Sequence, residues 1–260
     1  MRTTKAIASM IIFLSTFCIF NSMDSSGVSY AKSNKCNAVI VFAAKNSDIE
    51  TIKKMLNRNE EINCIDRKGL TALMAAADNG DNKMVELLIN NGANLDLVDR
   101  FGRPAIIRAI MNGHVTTVDL MIKLGADYNS SDRNGRTAIM YAASLTNPLM
   151  LKLLAKNADL AARDKFGRDA IMDAATYSSP ETIKVLLDNG ADINSKSNNG
   201  VTALMSAAHA GNKETVKFLI DKDVDLNKKD HEGKTAISLA MEEGHSDIVA
   251  LLKKAGANES

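Results

Sequence analysis

DRKGLTALMAAADNGDNKMVELLINNGAN, running from Asp66 to Asn94, is the stretch that decides how this chain is built. Asp66 and Gly69 bracket a tight turn. Glycine accepts a positive φ without a Cβ clash, and the aspartate side chain bonds nearby backbone N–H groups. An apolar helix is expected from Ala72 to about Asn79, with small Ala76 and Ala77 on the side where backbones come close. Gly80 is placed to end it in the left-handed conformation. Asp81 then caps a second helix whose Met84, Val85, Leu87 and Leu88 share one face at helical spacing. Gly92 stops that helix, and Ala93-Asn94-Leu95 leads into the next turn.

The pattern returns from Asp99 (DRFGRPAIIRAIMNGHVTTVDLMIKLGAD) and again from Asp132, Asp164, Ser197 and Asp230. The turn glycines Gly69, Gly102, Gly135, Gly167, Gly200 and Gly233 recur every 33 residues, with a single interval of 32. A fixed period of this length means one supersecondary unit, stacked, because a lone unit cannot bury its apolar face. The block closely resembles the ankyrin repeat, with TALM or TAIM standing where that family most often has TPLH. The resemblance covers residues 36–260 and implies an all-α solenoid of about seven helix-turn-helix repeats joined by hairpin-like turns. The units fall at about 36–65, 66–98, 99–131, 132–163, 164–196, 197–229 and 230–260.

The departures from the pattern are small. In the first unit Ala43 and Ala44 fall under Ala76 and Ala77, Ile52 and Met55 fall under Val85 and Leu88, and Cys36 stands where the turn glycine would be. In the last, Glu242, Glu243, Asp247, Lys253 and Lys254 make a more polar cap, as a unit with one neighbour needs. The short interval comes from LLAKNAD, which lacks the glycine of LLINNGAN, so Asn157 is expected to take the left-handed position. Pro148 and Pro180 fall on the position of Asn82, in the first turn of the second helix, where a missing N–H costs little.

Residues 1–31 stand outside the repeats. Arg2 and Lys5, an apolar run from Ala6 to Phe20 and small residues around Ser29 and Ala31 read as a secretory signal peptide. The run is short for a membrane span, which takes about 20 apolar residues; an uncleaved anchor is the alternative. Phe17 before Cys18 argues against a lipoprotein signal. The repeat domain is then 32–260, in a bacterial periplasm or secreted. Removing Arg2, Lys5 and Asp24 leaves equal numbers of basic and acidic residues, so net charge gives no case for nucleic acid or membrane binding. A monomer is expected.

Candidate chemistry is sparse. Met74, Met140, Met172 and Met205 recur at one slot, but Ile107 and Ser238 share it, which favours core filling over a soft-metal stripe. His114 and His245 follow glycine at the start of a second helix, a position that resembles the family's structural histidine; His209 ends a first helix and His231 sits at a turn tip. HExxH, paired CxxC and GxSxG motifs do not occur. Neither a catalytic site nor a cofactor or metal site is expected. Cys36 and Cys64 are a candidate disulfide in an oxidising compartment, provided the fold brings their Cα atoms within about 7 Å.

What the resemblance implies is a binding scaffold for another protein. The alternative is an exported effector or enzyme inhibitor using the same surface, with an enzyme or small-ligand binder less favoured. The turns of units two to five point to where a partner sits: Arg67 and Lys68; Arg100, Phe101 and Arg103; Arg133 and Arg136; Lys165, Phe166 and Arg168. The sixth turn breaks the series with Asn198, Asn199 and Val201. These residues read as a basic comb with Phe101 and Phe166 as anchors, and Met111, Leu145 and Tyr177 lining the adjoining concave side. The partner would present an acidic patch. The competing reading is that each cation pairs locally with its own turn aspartate.

Overall fold

The computed structural model describes residues 38–258; the expected signal peptide at 1–31 and Cys36 lie outside them. The described residues hold fourteen helices in seven antiparallel pairs. The first helices of the pairs are α1 (Val39–Lys45), α3 (Ala72–Asn79), α5 (Ala105–Met111), α7 (Ala138–Ala143), α9 (Ala170–Tyr177), α11 (Ala203–His209) and α13 (Ala236–Glu242). The second helices are α2 (Ile49–Leu56), α4 (Asn82–Asn90), α6 (Val115–Lys123), α8 (Pro148–Ala155), α10 (Pro180–Asp188), α12 (Lys213–Ile220) and α14 (Ser246–Lys254). This is the all-α solenoid that the period predicts.

Local chemistry sets each helix end. Thr71 caps α3 by accepting from the Met74 N–H at 3.2 Å, and Asp81 caps α4 by accepting from Met84 at 3.0 Å. Pro148 and Pro180 open α8 and α10 at their first turn, as expected. Gly80 adopts φ 67° and closes α3 in the left-handed region. A second constraint acts on it, since a Cβ there would lie 2.5 Å from Nδ1 of His114 in the next repeat. That ring sits at the N-cap of α6, and its Nε2 donates to the Asp78 carbonyl at 2.9 Å. His245 does the same to the His209 carbonyl at 3.1 Å.

Asn157 does not take the left-handed position expected of it. In the regular loop the Ala93 N–H reaches back five residues to the Leu88 carbonyl at 3.0 Å. In the shortened loop the Ala158 N–H reaches the Leu154 carbonyl, four residues back, at 3.2 Å. With one residue fewer to accommodate, the chain turns without leaving the right-handed region. Where glycine is replaced but the length is kept, in LIDKDVD, Asp223 does adopt φ 56°.

The core runs the length of the stack between the two helix layers. Met74, Met140, Met172 and Met205 are all buried, as are Leu88, Met121, Leu154, Leu186 and Leu219 of the second helices. Each such side chain contributes roughly 1.5–3 kcal/mol by leaving water. The first helices carry alanines on their facing sides and pack more closely on one another than the second helices do, so the stack curves with the first helices inside. The turns are joined as well. The Arg133, Lys165, Asn198 and His231 N–H groups donate to the carbonyls of Phe101, Asn134, Phe166 and Asn199 in the preceding turn, at 2.8–2.9 Å.

Candidate functional site

The turn aspartates are committed to the backbone. Oδ1 of Asp66 accepts from the Lys68 and Leu70 N–H groups, that of Asp99 from Phe101 and Arg103, that of Asp132 from Asn134 and Arg136, and that of Asp164 from Phe166 and Arg168. Each turn therefore projects its two middle residues outward and returns the fifth toward the first helix. The eight cations expected to form one comb are thereby split into two sets.

The inward set is Arg103, Arg136 and Arg168, all half-buried and ion-paired. Arg103 donates through Nε and Nη2 to Oδ2 of buried Asp99, at 3.0 and 2.8 Å. Its guanidinium stacks on the Phe101 ring, 4.5 Å from the centroid, and its Nη1 points to the Met111 sulfur. Arg136 and Arg168 converge on buried Asp173, donating to its two carboxylate oxygens at 2.7 and 2.9 Å. Of these three only Arg103 pairs with its own turn aspartate; Arg168 pairs with Asp173 on α9 of its own repeat, and Arg136 reaches the same Asp173 from the preceding repeat.

The outward set is Arg67, Lys68, Arg100, Arg133 and Lys165. All five are exposed, and none forms an ion pair among the described residues. Arg100 instead donates to the Arg67 carbonyl of the preceding turn. Phe101 and Phe166 stand beside this row, 62 % and 69 % exposed, and Tyr177 is 57 % exposed at the end of α9. Met111 is exposed at the end of α5, and Leu145 is half-buried just past α7.

Five groups that the sequence reading passed over, Asp78, Arg108, Asn112, Tyr141 and the Asp173 just described, complete the concave face. Arg108 on α5 bridges Asp78 of the preceding repeat and Asp99 of its own. Tyr141 on α7 donates its hydroxyl to Asp132 at 2.6 Å, under the Arg136 guanidinium at 4.6 Å. Asp78, Arg103, Arg108, Met111 and Asn112 line a cleft of about 360 Å³ between repeats two and three. For Arg108, Tyr141 and Asp173 the signal in the sequence was a polar residue inside an apolar helix. The slot of Ala75 is filled by Arg108, Tyr141 and Asp173 in the next three units.

Burial pushes the carboxyls of both Asp99 and Asp173 up, but the net outcome differs. Burial pushes the Asp99 carboxyl up, but hydrogen bonds from the Arg103 side chain and from the Arg103 and Phe101 backbone outweigh it and hold the group below its ordinary value. For Asp173 burial wins over Arg136 and Arg168, and the carboxyl lies above its ordinary value. Burial, then the bond to Asp132, pushes the Tyr141 phenol up to about 12. Burial favours the neutral form of Arg108, yet Asp78 and Asp99 more than compensate and keep it firmly charged.

The other candidates are quickly placed. Cys64 is buried and disulfide-bonded; its expected partner Cys36 lies outside the described residues. Among the described residues no cluster of three His, Cys, Asp or Glu side chains could hold a metal ion, and no helix is long and apolar enough to cross a membrane.

The profile described as ankyrin repeats (3 copies) matches residues 40–132, 124–197 and 189–260. The chain belongs to the ankyrin repeat family. No curated protein sequence matches it. Among solved structures, this ankyrin repeat protein is similar to a chain in the complex of the predatory endopeptidase Bd0816 from Bdellovibrio bacteriovorus with immunity protein Bd3460. The match has a TM-score of 0.66 and 31 % identity, over 72 % of this chain and 99 % of that one. Ankyrin repeats point to protein–protein interaction.

Proposed function

We propose that this ankyrin repeat protein is an exported, non-catalytic protein-binding scaffold that occludes a partner enzyme, in the manner of an inhibitor or immunity protein. The observation that carries the binding surface is exposed Phe101 and Phe166 beside five cations that have no ion-pair partner among the described residues, on turns joined to their neighbours by hydrogen bonds. Large exposed aromatics beside arginine are the composition of interface hot spots. The inhibitor reading draws its support from the similar solved structure, an endopeptidase in complex with an immunity protein. Export is supported by the Arg2/Lys5–apolar–small pattern and by the disulfide at Cys64, since such bonds persist in oxidising compartments. The protein acts as a monomer, and the partner presents an acidic patch.

The test begins with capture of partners from the cell envelope of the native host, using the wild-type protein and a Phe101→Ala/Phe166→Ala variant. An enzyme retained by wild type, lost by the variant and inactivated on binding supports the proposal. Equal capture by both proteins, with no dependence on salt, overturns it. Intact mass of the protein from its host checks export: cleavage near Ala31 is expected, and a full-length cytosolic product contradicts it.

A further inference from the structure

We propose that the outward cations recognise an acidic helix of the partner, carrying one carboxylate per repeat and lying along the row of turns. This rests on the protein-binding reading above and names what that surface selects. Arg67, Arg100, Arg133 and Lys165 hold the same turn position in four successive repeats, and each is exposed and without an ion-pair partner among the described residues. Their own aspartates are occupied by backbone N–H groups. The inward guanidiniums are already ion-paired, with Asp99 or Asp173, and half-buried, so an incoming acid meets the outer row first.

The spacing of that row selects the shape of the ligand. Backbone bonds between turns, from Arg133 to Phe101 and from Lys165 to Asn134, keep the cations in register. Packed helix layers repeat at about 8–10 Å. An α-helix advances about 10.5 Å in seven residues and then presents the same face to within about 20°. An acidic residue at every seventh position therefore meets one cation per repeat. An extended strand covers the distance in about three residues, an odd number, which turns alternate side chains away. A second set, Met111, Leu145 and Tyr177, has one member per repeat at or just past the end of the first helix, and exposed Phe101 and Phe166 stand in the turns. It gives the apolar stripe of the same helix a seat. The row ends at Lys165, because the next position is Asn198, whose side chain is bonded to the Lys165 carbonyl at 3.0 Å.

The test needs no natural partner. Two alanine-rich helical peptides of equal length and composition, one with Glu at every seventh position and one with Glu at every fifth, are titrated against the full-length protein at low ionic strength by fluorescence anisotropy. A single-stranded oligonucleotide serves as an unrelated polyanion. The seven-spaced peptide is expected to bind at least about tenfold more tightly than the other two, and to weaken as salt rises. Arg100→Gln/Arg133→Gln/Lys165→Gln removes that preference. Lys152→Gln/Lys184→Gln/Lys217→Gln, which takes the same charge from exposed positions on the second helices, leaves it. Equal binding of the two peptides, tighter binding of the oligonucleotide, or no response to the turn variant overturns the inference. An enzyme captured through Phe101 and Phe166 whose binding ignores the three turn cations also overturns it, and leaves the scaffold reading standing.

Discussion

Asp99 is the residue on which the concave face turns, because two arginines and two backbone N–H groups meet its carboxylate. Its folded pKa lies below the ordinary value of 3.8, so its stabilisation is present above that pH and is lost as pH falls through the folded value. Asp99→Asn is expected to cost about 3 kcal/mol at neutral pH, the lower end for breaking a buried pair, since Arg103 and Arg108 keep partial access to water. Urea denaturation at pH 7 and pH 3 checks this; the difference between the two proteins should shrink at the lower pH. Asp173 has the opposite sign. Its raised pKa means that folding takes up a proton in the window between the ordinary value and the higher folded one, so it withdraws stability as pH rises through that window. Tyr141 supplies an optical reporter. Its stabilising bond to Asp132 persists below pH 10 and is lost as pH rises through about 12. Absorbance at alkaline pH should show a late tyrosinate step that Tyr141→Phe removes.

At the scale of helices and turns, Gly80 and His114 form a contact between repeats that each repeat alone would not explain. Gly80→Ala meets both an unfavourable φ and the His114 ring, and should destabilise by more than about 1 kcal/mol. Adding His114→Ala removes the clash but not the backbone strain, so the double variant should lose less than the two single changes together. Thermal melts of the four proteins decide it, and additive losses would mean that the ring does not press on Gly80. Elements of this kind were largely legible in the sequence. A period of 33, the Asp–Gly turn, the capping residues and the two prolines fix every helix pair, because each signal is local. The concave network was not legible in the same way. Arg103 and Arg100 look alike on paper, and only the path of the turn shows that one returns to Asp99 while the other stays in water. Asn157 was misread for a related reason, since a deleted glycine can be met by a shorter loop as well as by a left-handed substitute.

For the molecule as a whole, stability should follow the one-dimensional order of the stack. Ala142→Leu overpacks a fully buried site on α7 and should cost roughly 1–3 kcal/mol. Because repeats touch only their neighbours, the same change should uncouple the two halves and broaden or split the unfolding transition, as read by calorimetry. A sharp transition at unchanged temperature would place the inward face elsewhere. The side-chain hydrogen bonds that join repeats, such as Asn94 to Asn63, His114 to Asp78 and Asn212 to Ser178, link residues 28 to 37 positions apart, and none has to wait for a distant segment. A chain that emerges N-terminus first, from a ribosome or a membrane pore, can therefore dock each new helix pair onto the one just outside the opening. Assembly then proceeds like a zip, with each docked pair opposing backward slippage of the strand still in the channel.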